Sequence, residues 1–295
     1  MVDQKARMDV GGWLLSLDRE SIPVLRQTAR RLDEVRRNVA RIGGREIAGI
    51  VQQDPLLAAR VLASIQTAVP GRLRSDITSV TSAVMLIGVE PFLRRFADLP
   101  TVEGLFGGQR PALLSALQLI LRAQRASRYA HEWAIHRYDL NAEEVALAAL
   151  LHDLAEILLG CLAPELMTEV RRRQRDWDRS RGERAEQQVL GLRLAELQLA
   201  LCQAWHLPEL LITLIDERNA EHARARVVHY AVRFARHSIS GWTEPNLGED
   251  LEAVERLLNL GREALIDRLA LPAELVPGLL GEARTAARST PRQKL

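Results

Sequence analysis

From Val145 to Leu159 the chain reads VALAALLHDLAEILL, an apolar run broken by His152, Asp153 and Glu156. Leu and Ala at this density read as helix, and the start is marked by Asn141-x-x-Glu144, a capping box in which each side chain satisfies a backbone amide. An adjacent His-Asp pair inside such a stretch places two potential ligands near one ion, but a metal centre needs several convergent donors. The alternative is a pair that hydrogen-bonds helix ends and neighbouring polar groups, because leaving either residue buried and unpaired is costly. Without an obvious remainder of the ligand set, the second reading is favoured.

The rest of the chain supports an all-α fold. Leu and Ala dominate its 295 residues, Phe, Tyr and Trp together make 4%, and few segments alternate as a half-buried strand would. The length suffices for a substantial core in one large domain or two lobes. A formal charge of +2 is too weak a bias to argue nucleic-acid binding. Lys5 and Lys294 are the only lysines, so arginine carries nearly all the positive charge. No apolar stretch is expected to reach the ~20 residues that span a bilayer, and the first residues lack a long hydrophobic region or a cleavage site. Cys161 and Cys202 are too few for a disulfide scaffold and read as small buried hydrophobes. A cytoplasmic location is expected.

Residues 1–20 read as an N-terminal extension, 21–110 as a first helical lobe, 111–284 as a second lobe with C-terminal helices, and 285–295 as a disordered tail. In the first lobe Pro23 is expected to open a helix bearing Val24, Leu25, Leu32 and Val35, with a turn at Gly43-Gly44. Asp54 caps a helix that has Pro55 in its first turn, and Pro70-Gly71 ends it. Ile77, Val80, Val84 and Ile87 predict a short helix closed by Gly88, with Pro91 starting the next. Gly107-Gly108 is a candidate hinge. A long helix over Ala112 to His136 opens the second lobe. The mixed charges of EVRRRQRDWDRSRGERAEQQ read as a solvated helix and turn.

The order of these pieces resembles the HD-related output domain (HDOD) family over about Ile22 to Trp242. The resemblance is carried by EIAGIVQQDPLLAARVLASIQTA around Asp54-Pro55, by ITSVTSAVMLIGVEPFLRR, by EEVALAALLHDLAEILL with Leu151-His152-Asp153, by Trp205-x-Leu207-Pro208, and by ARVVHYAVRFAR. It implies an all-helical relative of HD phosphohydrolases: an N-terminal helical bundle beside an HD-like core, found in bacterial signalling proteins and in many members not catalytic. The family pattern also implies ligands that this chain lacks. Ala126 stands where a His is expected, Leu194 replaces a frequent His, and Ile215-Asp216 lies where paired histidines often occur. Gln66-Thr67 takes the place of an Asn-Ser pair.

The residues therefore predict a noncatalytic signalling or regulatory module without a cofactor, binding a protein partner or a nucleotide-like ligand in the groove between lobes. Arg94, Arg95, Arg122, Arg125 and Arg128 are the candidate contacts for a phosphorylated ligand, with surface solubility as their simpler role. The alternative is a metal-dependent phosphohydrolase in which a divalent ion activates water. It would use His152 and Asp153, completed by His131, Glu156, Asp216 or His229. Glu156 is expected on the His152 face, four residues on, and a shifted register is the route by which His131 would join. Nothing in the sequence supports base-edge contacts or sets the oligomeric state.

Overall fold

The computed structural model describes residues 8–38, 43–68, 77–137, 140–174, 179–239, 241 and 247–269, with the side chains of 66–68 and 179–181 left aside. Within these residues the secondary structure is helical, joined by one isolated parallel bridge between Val24 and Thr101. After α1 (Val10–Ser16), the first lobe comprises α2 (Arg26–Arg37), α3 (Gly44–Val51), α4 (Pro55–Ala68), α5 (Val80–Ile87), α6 (Val89–Arg95) and α7 (Val102–Leu105). The second begins with α8 (Arg110–Arg137), α9 (Ala142–Leu151), α10 (Leu154–Leu162), α11 (Pro164–Arg173) and α12 (Arg179–Leu190). It continues through α13 (Leu194–Ala204), α14 (Glu209–Ile215), α15 (Ala223–Ile239), α16 (Leu247–Leu258) and α17 (Arg262–Arg268).

One buried carboxylate organises the first lobe. Asp54 Oδ1 accepts from the Leu56 and Leu57 amides at 3.0 and 3.2 Å, capping α4, while Oδ2 accepts from Leu25 N at 2.8 Å where α2 begins. Burial pushes its carboxyl above the ordinary range, against the hydrogen bonds from Leu25, Thr28, Leu57 and Leu56. The helix expected to open at Pro23 starts at Arg26 instead. The reason is that Val24 spends its amide on Pro100 O (2.8 Å) and its carbonyl on Val102 N (2.9 Å), so Pro23-Val24 is extended chain. Gly88, at φ +83°, ends α5 and starts α6, a backbone conformation that a side chain would strain.

The expected helix over Ala112 to His136 is α8, two residues longer at its start and one at its end. At 28 residues it runs about 42 Å. Ala116, Ala123, Ala126, Ala130 and Ala134 are buried on it, and these small side chains allow close approach by α9 and α15. Tyr129, Trp133 and Phe234 close the α8–α15 seam with ring centroids 5.1–5.9 Å apart.

Asn141 does cap α9, accepting from the Glu143 and Glu144 amides. The reciprocal half of the box is absent, because both glutamates reach across to the first lobe. Glu143 Oε1 accepts from Gln52 Nε2 (2.8 Å) and Thr81 N (3.0 Å), and Glu144 Oε1 accepts from Thr78 Oγ1 (2.7 Å). Gln124 Nε2 adds a bond to Gln53 O at 2.6 Å. Gly107 and Gly108, at φ +50° and +99°, make the α7–α8 turn, but these four bonds and a continuous apolar core tie the lobes together beside it.

The N-terminal extension is not separate either. Helix α1 packs on α13, and Trp13, buried, donates Nε1 to Leu190 O at 3.2 Å. One expectation needs correcting: Ala142–Leu162 spans 21 residues and holds an 18-residue window of mean hydropathy 1.9, long and apolar enough by composition to cross a membrane. That window is 72% buried inside the protein, and the segment breaks at His152-Asp153, as a core segment would. The Pro70-Gly71 turn, the helix end near Tyr138-Asp139 and the tail 285–295 lie outside the described residues.

Candidate functional site

The pair that heads the site stands at a break between helices, not inside one. Helix α9 ends at Leu151, Asp153 takes φ −103°, ψ 27°, and α10 begins at Leu154. The hydrogen bond that a continuous helix would place between Ala155 N and Leu151 O is replaced by one side chain. Gln198, buried on α13, accepts from Ala155 N at 2.8 Å and donates Nε2 to Leu151 O at 2.9 Å, with Cys202 Sγ at 3.2 Å. A side chain inserted into the ladder is a recognised cause of a kink. The kink overturns the expectation that Glu156 shares a helix face with His152.

Glu156 is nonetheless brought to the pair, through a cation. Arg122 on α8 is buried, and its Nη2 donates to Asp153 Oδ2 at 2.7 Å and to Glu156 Oε2. Arg236 Nη2 on α15 stands 3.4 Å from both Asp153 oxygens. Burial opposes ionisation of Asp153, but Arg122, Arg236 and His152 together hold its carboxyl well below the usual aspartate range. Burial likewise opposes the Arg122 charge and is outweighed by Glu156 and Asp153, so its pKa is raised. A guanidinium therefore compensates the carboxylates that a divalent ion would otherwise draw together.

His152 Nδ1 lies 2.8 Å from Asp153 Oδ1, and its Nε2 lies 3.3 Å from His229 Nδ1, the two rings nearly perpendicular. The His229 pKa is pushed down to about 4, first by burial and then by His152, against Glu217 and Asp216. His229 is therefore a neutral imidazole at pH 7. Asp216 stands behind it and is spent on Arg218, whose backbone N and guanidinium it accepts at 2.6–3.0 Å. His131 is exposed: nine residues from Arg122 on α8, it points half a turn of the helix away. No register shift joins it to the site.

The remaining arginines do not form one patch with Arg122. Arg94 and Arg95 are exposed at the end of α6, Arg125 is half-buried, and Arg128 lies over the Tyr129 ring at 5.6 Å. Cys161 and Cys202 are buried, and burial pushes both thiols up to about 12. Among the described residues no group of three or more His, Cys, Asp and Glu side chains is placed to hold a metal ion.

Three members were not singled out from the sequence: Gln198, Arg236 and Glu186. Gln198 interrupts the apolar pattern of LAELQLALCQA, which is a signal for a polar side chain facing a core. Glu186 on α12 accepts from Leu194 N at 2.9 Å. Its pKa is pushed up to about 7, chiefly by burial and also by Glu156, against the Leu194 bond and Arg236. A folded state that holds this proton more tightly has its full stability below 4.5 and loses it as the pH rises through about 7. Glu186→Gln, which mimics the protonated acid, is expected to raise unfolding stability at pH 8 by about 1–2 kcal/mol and leave it unchanged at pH 4. Urea melts of both proteins across that range measure it, and parallel pH profiles would refute the assignment.

The HDOD domain family model matches residues 22–221, well over half of the chain. Among solved structures, the MmoQ response regulator of Methylococcus capsulatus str. Bath is 21% identical, with 85% of this chain and 99% of that chain covered and a TM-score of 0.59. A virulence factor from Campylobacter jejuni subsp. jejuni is 18% identical over 92% of this chain and 97% of that one, with a TM-score of 0.61. At these identities the likeness is one of fold. No curated protein sequence matches the chain.

Proposed function

We propose that this chain, which belongs to the HDOD domain family, is a noncatalytic signalling module whose HD-type site has become a structural ion cluster. The observation that carries this reading is Arg122, whose Nη2 is shared between Asp153 and Glu156 in the buried heart of the site. A divalent ion there would need those carboxylates as ligands and would meet a fixed positive charge among them. The donor set does not fit a resident metal: His152 is turned to Asp153 and His229, and Asp216 to Arg218. A module of this kind acts by binding a partner. The MmoQ response regulator, similar in fold, is the kind of protein in which such a role would operate.

The phosphohydrolase reading starts from the His152-Asp153 pair with Glu156 and His229 beside it, and one experiment separates the two. The protein is incubated with Mn²⁺, Fe²⁺ or Zn²⁺, freed of excess ion, and subjected to elemental analysis alongside turnover of bis-p-nitrophenyl phosphate. Metal far below about one equivalent, with no turnover, is the expected result. About one equivalent that disappears in His152→Ala, with hydrolysis lost in parallel, would overturn the noncatalytic reading.

A further inference from the structure

The corner between α5 and α6 turns apolar surface outward under a cationic rim. Met85 and Leu86 are 63% and 42% exposed, and among the described residues they are the only sequence-adjacent pair of large hydrophobics so exposed. Neighbours on a helix splay about 100° apart, so the exposed surface is a broad face and not a single stray side chain. The Met85 thioether lies close over the start of α3, where a Cβ on Gly44 would meet its sulfur at 2.7 Å. The turn at Gly88 brings α6 back beside α5, and Leu86, Ile87, Pro91, Arg94 and Arg95 enclose an open cavity of about 460 Å³.

Among the described residues no carboxylate lines that cavity. Arg95 continues into an adjoining hollow with Arg19, Arg60 and Glu20, so among the described residues the two hollows together present four guanidinium groups and one carboxylate. Glu20 is engaged by Arg19 and Arg60 at 3.7 and 3.8 Å, and Arg60 also donates to Ile22 O. Arg94 makes no ion pair with the described residues.

We propose that this corner docks an acidic amphipathic segment of a partner protein, with apolar side chains on Met85, Leu86 and Ile87 and carboxylates against Arg94 and Arg95. The charge on the rim selects the occupant. A second copy across a two-fold axis would bring the same arginines face to face. A nucleic-acid backbone would satisfy the arginines but leave the apolar floor uncovered, whereas an amphipathic helix meets both. Methionine suits such a surface, since its flexible thioether adapts to varied partners. The inference rests on the signalling-module reading for the existence of a protein partner, and it adds the surface and the partner's chemistry.

The test uses the full chain and two fluorescein-labelled helical peptides of roughly 16 residues, with Leu at positions i, i+3, i+4 and i+7. One carries Glu on its polar face and the other Lys at the same positions. Anisotropy titrations are expected to show the acidic peptide binding at least about tenfold tighter, with the gap narrowing at high salt. Arg94→Glu/Arg95→Glu should reverse the preference, and Leu86→Asp should weaken the acidic peptide. All three positions are exposed, and circular dichroism checks that each variant is folded. Equal binding of both peptides, no saturable binding, a preference unmoved by the arginine reversals, or a stronger preference for single-stranded DNA or phosphatidylserine vesicles would overturn the proposal. The metal and turnover assay reports separately. Peptide failure in a metal-free, inactive protein removes only the docking surface, and hydrolysis in a peptide-binding protein removes only the noncatalytic reading.

Discussion

Arg122→Met is expected to lower unfolding stability by about 3–5 kcal/mol, because it leaves two carboxylates buried with their main counter-charge removed. Asp153 and Glu156 have side chains only 11% and 16% exposed, and Arg122 is the cation between them. Arg236, 44% exposed and 3.4 Å away, compensates one of the two and less closely. The pH dependence should change sign. In the wild-type protein the Asp153 pKa is lowered in the fold, so its contribution is complete above the ordinary value of 3.8 and is lost as pH falls below it. Without Arg122, Asp153 faces Glu156 in a poorly solvated site with its main counter-charge gone, the folded Asp153 pKa rises, and the variant gains stability as pH falls from 8 to 5.

Adding Asp153→Asn and Glu156→Gln to Arg122→Met should recover most of the loss, since neutral groups of the same shape carry no unpaired charge. Urea denaturation of the three proteins at pH 5 and pH 8 measures both effects. A loss under about 1 kcal/mol with an unchanged pH slope would show a well-hydrated cluster. The Arg122 guanidinium would then not be standing in the place of a metal.

Periodicity and caps made the helices legible. Asp54-Pro55, Gly88 and Asn141 all mark helix ends in the sequence and do so in the structure. What local rules could not supply was where a side chain goes once its own helix has no use for it. Glu144 has the spacing of a capping box but bonds Thr78 on the other lobe. Pro23 has the residue type of a helix start, yet the chain there is held extended by Pro100 and Val102. In both cases a tertiary partner outbids a local one, and nothing within four residues reveals it.

The site divides in the same way. His152, Asp153, Glu156 and His229 were all candidates, and the fold gathers them. The simpler role given to Arg122, surface solubility, does not hold for a buried residue; an arginine in a helix looks the same in sequence whether it faces solvent or core. Only the burial of Ala126, Tyr129 and Trp133 on the same stripe of α8 turns it inward. That geometry also removes His131, whose place on the opposite face follows from helical spacing once the inward stripe is known.

Gln198→Leu is expected to cost about 2–5 kcal/mol, because it strands the Ala155 N–H and the Leu151 C=O in the core without partners. No ordinary helix position makes a glutamine this expensive to lose. Its amide both accepts from Ala155 N and donates to Leu151 O, the two groups that the break at His152-Asp153 separates. The kink in turn sets the direction of Asp153, and through it the geometry of Arg122, His152 and Glu156. Hydrogen exchange at the Ala155 amide should accelerate in the variant by far more than at Leu201, which lies on the same helix as Gln198. The histidine ring resonances of His152 and His229 should move as their 3.3 Å contact is disturbed. If Gln198→Leu instead left stability and Ala155 protection unchanged, the backbone would have closed its own bond from Ala155 to Leu151. The kink would then be a property of the His-Asp pair and not of Gln198, and the cluster around Arg122 should survive the substitution with its pH dependence intact.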